Sequence, residues 1–378
     1  MTDLSPLIAF RHALHRQPEL SGQEEQTAAR VAQALRALSP DHQITGLGGH
    51  GVAAVFQGRA PGPTVMLRAE LDALPIPETS GVGHASRVPG RGHLCGHDGH
   101  MAILLGVAVA LAQARPAAGR VVLMFQPAEE DGSGAAAVLA DPAFAPLRPD
   151  WAFALHNMPG LPLGLAQVSA GPANCASVGV RLRFLGRTAH AATPQTGVSP
   201  LPALQALIPA VQALGPGGDL GPDFRLVTLT HLRMGEPSFG IAPGEAEIYL
   251  TLRCLLDDPM AALKAQVVAL AEAAADQAGL VLTLSWHDDF AACRNDPQAV
   301  AQITAALRAT GIAFGPASPM RASEDFGRFG QPGTASAMVL LGAGEGHPAL
   351  HDPRYDFPDA LIGVGRDVFL AILRNLLG

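Results

Sequence analysis

Residues 120–130, RVVLMFQPAEE, decide the fold. From Arg120 to Phe125 the run is almost continuously apolar, as in a strand covered on both faces, and two carboxylates, Glu129 and Glu130, follow directly. The same texture recurs upstream in TVMLRAEL (64–71), which delivers Glu70 and Asp72 to its end, and downstream in WAFAL (151–155), which is followed by His156. Between them Met101 to Ala114 reads as a buried helix. Strands alternating with helices predict an α/β, doubly wound sheet, and such sheets place ligands just beyond the carboxyl ends of their strands, where these polar side chains fall.

Towards the N terminus, Ser5-Pro6 opens a helix that runs to about Arg16. Ser21 and Glu24 have capping-box spacing before Ala28, Val31, Ala32, Leu35 and Leu38, and VAAVF (52–56) is a further strand. Towards the C terminus the texture changes at SVGVRLRFLG (177–186), where apolar and polar residues alternate as in a sheet with one exposed face. A helix at 200–214, strands at 224–232 and 245–253, a helix at 259–278 and a strand at 281–286 follow, giving the β-α-β-β-α-β order of a ferredoxin-like unit. The first texture then resumes with a helix at 297–310, a strand at 336–341 and a closing helix after Asp359. The expected organisation is a catalytic domain of residues 1–174 plus 288–378, with a domain of 175–287 inserted into it.

At 378 residues, with 48% hydrophobic and 15% charged side chains, the chain has ample core. A formal charge of −8 argues against the basic face that phosphate binding needs, so no nucleic-acid partner is expected. The N terminus shows no basic, cleavable leader pattern, and no apolar run approaches the roughly 20 residues that span a bilayer. A cytoplasmic protein without membrane partners is expected, and Cys95, Cys175, Cys254 and Cys293 show no disulfide spacing.

GHLCGHDGHMA (92–102) concentrates the chemistry. Cys95 and His97, together with Glu129, Glu130, His156 and a late His351, are the thiolate, imidazole and carboxylate types that Zn²⁺ accepts, in a number that suits an open catalytic site. Cys95 as a nucleophile with His97 or His100 as its base is the rival reading. Taken singly, Glu129-Glu130 reads as a helix start and His156 as a hydrogen-bonded core histidine, the category to which His231 and His287 are also assigned.

Eight segments in chain order carry a resemblance: HRQPELSGQE, LRAELDALPIPE, GHLCGHDGHMA, FQPAEEDGSGA, ALHNMPGLPLG, GRTAHAATP, ASEDFG and LHDPRYDF, spanning residues 15–357. The chain resembles the dinuclear metallopeptidase superfamily of aminoacylases, glutamate carboxypeptidases and dipeptidases. Within it, it is most similar to the amidohydrolase branch of hippurate hydrolases, N-acyl-L-amino-acid amidohydrolases and auxin-conjugate hydrolases. The resemblance implies two divalent metal ions, zinc first, with manganese or cobalt as alternatives. They would be held by Cys95, His97, Glu130, His156 and His351, with the Cys95 thiolate between them. Glu129 would be the general base and Asp72 the carboxylate behind the metal centre. His190, in GRTAHAA, would reach from the inserted lid and dimerisation domain to the oxyanion. Asp98 and His100 belong to the same signature, and His100 can equally be structural.

The implied reaction is hydrolysis of the amide of an N-acyl-L-amino acid by a homodimer or higher homo-oligomer. A dipeptidase or N-carbamoyl-amino-acid hydrolase on the same scaffold, a thiol hydrolase and a catalytically silent binding protein are the alternatives. The chain departs from its relatives at Glu70, for a common aspartate, at Gln195 for histidine, at Ser199 for aspartate and at Gly240 for asparagine. Arg253 is a candidate for a substrate carboxylate, against a simpler role in a surface salt bridge.

Overall fold

A computed structural model describes residues 3–378. The chain divides into two compact units, one of residues 3–173 with Arg294–Ser318 and Asp325–Gly378, the other of Asn174–Cys293 with Pro319–Glu324. No helix among the described residues is long and apolar enough to cross a membrane.

The first unit is built on an eight-stranded sheet. Its four central strands run parallel in the order Arg120–Gln126, Thr64–Glu70, Trp151–Pro159 and Ala335–Gly344, with Val65 opposite both Val121 and Trp151, and Leu155 opposite Val339. Gly51–Gln57 and His42–Leu47 extend one edge antiparallel. Both faces are buried, as the continuous apolar runs require. Val65, Leu67, Val121, Leu123 and Phe125 share one core with the helices Ser5–His15, His97–Gln113 and Ala360–Leu377, while Met66, Val122 and Met124 are fully covered on the other face.

The buried helix starts at His97, four positions before the apolar run that announced it. His97, Asp98 and His100 look like loop residues in the sequence but are buried in its first turn. Phe357 lies across this turn, where a Cβ on Gly99 would stand 2.3 Å from its ring, so only glycine fits. Arg11, fully buried, bonds to Asp98 (3.0 Å), Asp356 (2.8 Å) and Asp359 (2.6 Å) and so ties the first helix, the His97 turn and the start of the last helix together.

The capping-box reading of Ser21 and Glu24 is corrected. Helix Glu25–Arg36 has no side-chain cap, because both residues are engaged elsewhere. Ser21 Oγ donates to Asp72 Oδ2 (2.7 Å), and Glu24 Oε1 accepts from the Gly22 (3.0 Å) and Ala128 (2.7 Å) amides.

The second unit holds a four-stranded antiparallel sheet in the order Arg225–Met234, Glu245–Cys254, Ala176–Leu185, Val281–Phe290. Helices Leu201–Leu214 and Asp257–Ala278 complete a strand–helix–strand–strand–helix–strand chain order. Val178, Val180, Leu182 and Phe184 point into a core with Ile248, Leu250 and these helices, and the intervening Arg181 and Arg183 point out. The last strand runs on to Phe290, beyond the expected end at Trp286, so residues 288–293 belong to this unit and not to the larger one. Pro319–Glu324 joins it as well, with the Cys175 amide bonded to the Met320 and Ala322 carbonyls (3.1 Å each). His231 and His287 are not core residues: both are exposed, His231 edge-on to Tyr249 and His287 bonded to Ser285 Oγ (2.7 Å).

Candidate metal centre

The carboxyl ends of three parallel strands and the start of the buried helix bring Asp72, Cys95, His97, Glu129, Glu130 and His156 together, and the late loop adds His351. Ligand-type atoms of Cys95, His97 and His156 lie within 4.8 Å of one another, as do those of Cys95, Glu130 and His351, and those of His97, Glu129 and Glu130. Cys95 and His97 are shared between these groups, so the donors form one continuous cluster. Closest approaches are Cys95 Sγ to His156 Nε2 (3.5 Å), His351 Nε2 to Glu130 Oε2 (3.5 Å) and His97 Nε2 to Glu130 Oε1 (3.8 Å) and Glu129 Oε2 (3.9 Å).

Local backbone conformation sets these directions. Gly96, between Cys95 and His97, has φ +99°, and a Cβ there would meet Asn157 Oδ1 at 2.4 Å, so both the dihedral and the space demand glycine. Ala128 (φ 50°) and His351 (φ 66°) are non-glycine residues in the left-handed region, a conformation that persists only where neighbours hold it. Here the holds are the Ala128 amide on Glu24 and the His351 amide on the Leu94 carbonyl (2.9 Å), which joins His351 to the Cys95 segment.

The imidazoles are oriented from behind. His97 Nδ1 donates to the Asp72 carbonyl (2.9 Å) and His156 Nδ1 to the Asn157 carbonyl (2.8 Å), which turns both Nε2 atoms towards the cluster. His97 Nε2 is buried and makes no hydrogen bond, a costly arrangement for a polar atom unless a ligand such as a metal ion completes it. Asp72 Oδ2 accepts from the Glu130 amide (2.9 Å) and Ser21, while Oδ1 lies 3.4 Å from His97 Nδ1. Burial raises its pKa, but the bonds from His97, Glu130 and Ser21 outweigh that and hold it below the usual carboxylate value.

Cys95 is the reverse case. Burial first, then the Glu130 and Glu129 carboxylates, push its thiol well above the ordinary value. A nucleophilic cysteine needs the opposite shift, and one of its candidate bases, His100, has both nitrogens engaged, with Glu70 Oε2 (2.6 Å) and Asn157 Oδ1 (2.5 Å). The thiol-hydrolase reading thus loses His100 as its base and gains no support from the thiol's surroundings. Bound cations reverse the thiol's preference by stabilising the thiolate, so the donor set fits metal ions.

The sequence reading missed the support around this centre. Asn157 joins His100, the Cys95 carbonyl and the Tyr355 hydroxyl, and Glu70 bridges His100 to Arg68, which reaches Asp325 (2.6 Å). The longer Glu70 side chain thus has a partner on each side. Asp72→Ala is expected to weaken metal binding about 10–100-fold, read by competition against a chromophoric chelator.

His190 lies in the second unit, on the short strand Ala189–His190, opposite Ile241 of Ile241–Ala242. It is exposed, and its Nδ1 accepts from the Ala192 amide (3.0 Å), which leaves the proton on Nε2. Arg253, in the same unit, donates to the Arg321 carbonyl (2.9 Å) and Ser323 Oγ (2.8 Å) and pairs with no carboxylate among the described residues, so the salt-bridge reading does not hold.

Among curated relatives, the chain is 31% identical over 321 residues to N-acetyl-L-cysteine deacetylase of Bacillus subtilis (strain 168), covering 85% of this chain and 76% of that protein. It is 29% identical over 370 residues to an IAA-amino acid hydrolase (ILR1-like 2) of Arabidopsis thaliana, covering 95% and 82%. A solved Bacillus subtilis structure described as a dinuclear metal binding peptidase from the M20 family superposes with a TM-score of 0.81 at 27% identity, over 99% of this chain and 98% of that one. Residues 66–375 match the family described as Peptidase family M20/M25/M40, and the chain belongs to that family.

Proposed function

We propose that the chain is a dinuclear metal-dependent amidohydrolase that cleaves N-acyl-L-amino acids into a carboxylic acid and a free amino acid. The observation that carries this reading is the convergence of Cys95, His97, Glu130, His156 and His351 around Glu129. The deacetylase and amino-acid hydrolase relatives support it. The mixed thiolate, imidazole and carboxylate set suits zinc ahead of manganese or cobalt. A cytoplasmic setting fits a thiol ligand that must stay reduced.

When bound, two such cations polarise the substrate carbonyl and bring the pKa of water towards about 7. Glu129 takes one proton from the attacking water as its oxygen bonds to the carbonyl carbon, and passes that proton to the amide nitrogen as the carbon–nitrogen bond breaks. Asp72 holds the His97 ring in place throughout. His190 presents Nε2–H to the oxygen that gains charge. The second unit, with its ferredoxin-like order, serves as lid and dimerisation domain.

Arg253, its guanidinium paired with no carboxylate among the described residues, binds the substrate carboxylate. Arg253 is paired with Ser177, at the opposite end of its strand from Glu245, which is paired with Leu185. The stretch from Glu245 to Arg253 spans roughly 27 Å at about 3.4 Å per residue, and His190 lies on the ribbon that the chain forms with Ile241–Ala242 before the Glu245 end. With the two residues at opposite ends of this unit's ladder, a dimer in which one copy's His190 serves the other's substrate lets one small substrate meet both.

A panel of the acetyl, carbamoyl and dipeptide derivatives of one amino acid, tested on metal-loaded protein, discriminates the chemistry. The acyl derivative is expected to be turned over with the highest kcat/KM. A carbamoyl or dipeptide substrate at least tenfold better would move the assignment to that reaction on the same scaffold.

A further inference from the structure

Glu129 and Glu130 are neighbours in PAEE (127–130), and the turn that carries them is held on either side of Glu129. The Ala128 amide donates to Glu24 Oε1 (2.7 Å) and the Glu130 amide to Asp72 Oδ2 (2.9 Å). Both holds trace to one strap, residues 19–24, which contains Glu24 and bonds Asp72 through Ser21 Oγ (2.7 Å). The strap is itself fastened next to Asp72, because the Ala73 amide donates to the Glu19 carbonyl (2.8 Å) and Leu20 bridges to Ala73.

Asp72 already has a place behind the metal centre, whereas Glu24 has none. Glu24 is fully buried, a costly position for a carboxyl group unless its hydrogen bonds matter. Helix Glu25–Arg36 does not depend on its side chain, since the first-turn amides of Gln26 (3.2 Å) and Thr27 (2.7 Å) are taken by Glu19. Its longest-range bond is to Ala128, 104 residues away, an alanine in the left-handed region (φ 50°) that L residues abandon when nothing holds them there. We propose that Glu24 is a positioning residue of the reaction. By holding the Ala128 amide it keeps the turn left-handed, and so aims Glu129 into the cluster while Glu130 stays beside His351. The hydrogen bond and its reach act here, and the negative charge does not. This role rests on Glu129 as the general base.

The test measures kcat and KM on an N-acetyl-L-amino acid, metal content, and amide exchange of the peptide 127–134, all on metal-loaded full-length protein. Glu24→Ala is expected to lower kcat about 10–100-fold, the range for a reacting group displaced by about 1 Å, with KM within about threefold and metal retained. Glu24→Gln keeps an oxygen at the same reach and is expected to stay within about threefold of wild type. Glu24→Asp keeps the charge but is one methylene short, and falls with the alanine variant. Glu19→Ala loosens the same helix and leaves kcat within about twofold. Exchange at 127–134 quickens about tenfold in the Ala and Asp variants alone. In a Glu129→Gln background Glu24→Ala costs less than about twofold more, because no base is left to aim.

Wild-type kcat in Glu24→Ala overturns the proposal. So does an equal loss in Glu19→Ala, which would mean general loosening, a loss of metal in step with rate, or rescue by Asp and not by Gln, which would make the charge the active property. Should Glu24→Ala not fold, the contrast between the Gln and Asp variants decides by itself. A wild-type rate in Glu24→Ala beside an inactive Glu129→Gln removes the aiming role alone. Full turnover in Glu129→Gln, or a wild type that hydrolyses no acyl amino acid, removes the underlying reading and the aiming role with it.

Discussion

Glu129→Gln is expected to lose at least 10²–10⁴-fold in kcat while keeping its full complement of metal, because a general base contributes about that factor and the amide retains the shape of the carboxylate but not its basicity. Glu129 is buried, lies 3.9 Å from His97 Nε2 and stands on a turn held by the Ala128 amide, so the substitution leaves its surroundings in place. The proton balance requires a group that accepts from water and later donates to the departing amine. Among the residues at the centre, Glu129 is assigned that task because Glu130, His351, Cys95, His97 and His156 are proposed as the ligands. Single-turnover assays beside metal analysis check the point. Loss of metal together with loss of rate would make Glu129 a ligand, and full turnover with metal retained would make another group the base.

The second large effect is expected on metal removal. Exhaustive chelation should abolish activity, and added divalent metal should restore it, with His97→Ala unable to recover at stoichiometric metal. Loading also has a pH dependence of definite sign. Burial lowers the His97 pKa, but the surrounding Glu70, Asp72 and Glu130 carboxylates overcome it and raise the imidazole to about 10, while the Cys95 thiol is raised well above its ordinary value. Both groups hold a proton at neutral pH that a cation must displace, so affinity rises with pH, by roughly tenfold per unit for each proton released. Metal titrations from pH 6 to 8, with proton release followed in two buffers of different ionisation enthalpy, measure this. An affinity independent of pH would mean that Cys95 and His97 do not ligate.

Periodicity made much of this molecule legible. The continuous apolar runs at Thr64–Glu70 and Arg120–Gln126 reported a sheet buried on both faces, and the alternation from Ser177 reported one with an exposed face. What it did not report were polar residues whose partners are distant in sequence. Ser21 and Glu24 have capping spacing, yet their partners are Asp72 and Ala128. The first turn of the buried helix was hidden because His97, Asp98 and His100 are polar, and only the folded chain supplies the carbonyl, Arg11 and Glu70 that permit their burial. Asn157 carried one faint signal, its place beside His156 at a strand end; its bonds to His100, Cys95 and Tyr355 join segments some 60 and 200 residues away that no local pattern connects. The second unit's return segment, Pro319–Glu324, was illegible for the same reason, since it joins through carbonyls bonded to the Cys175 amide.

The central claim is that Cys95, His97, Glu130, His156 and His351 hold a pair of cations. Elemental analysis by plasma mass spectrometry of metal-reconstituted, dialysed protein tests it most directly. The account predicts two divalent ions per chain in the wild type and less than one in a His97→Ala, His156→Ala double variant that remains folded by circular dichroism. A wild-type chain that retains no divalent ion, or a double variant that still holds two, would contradict it.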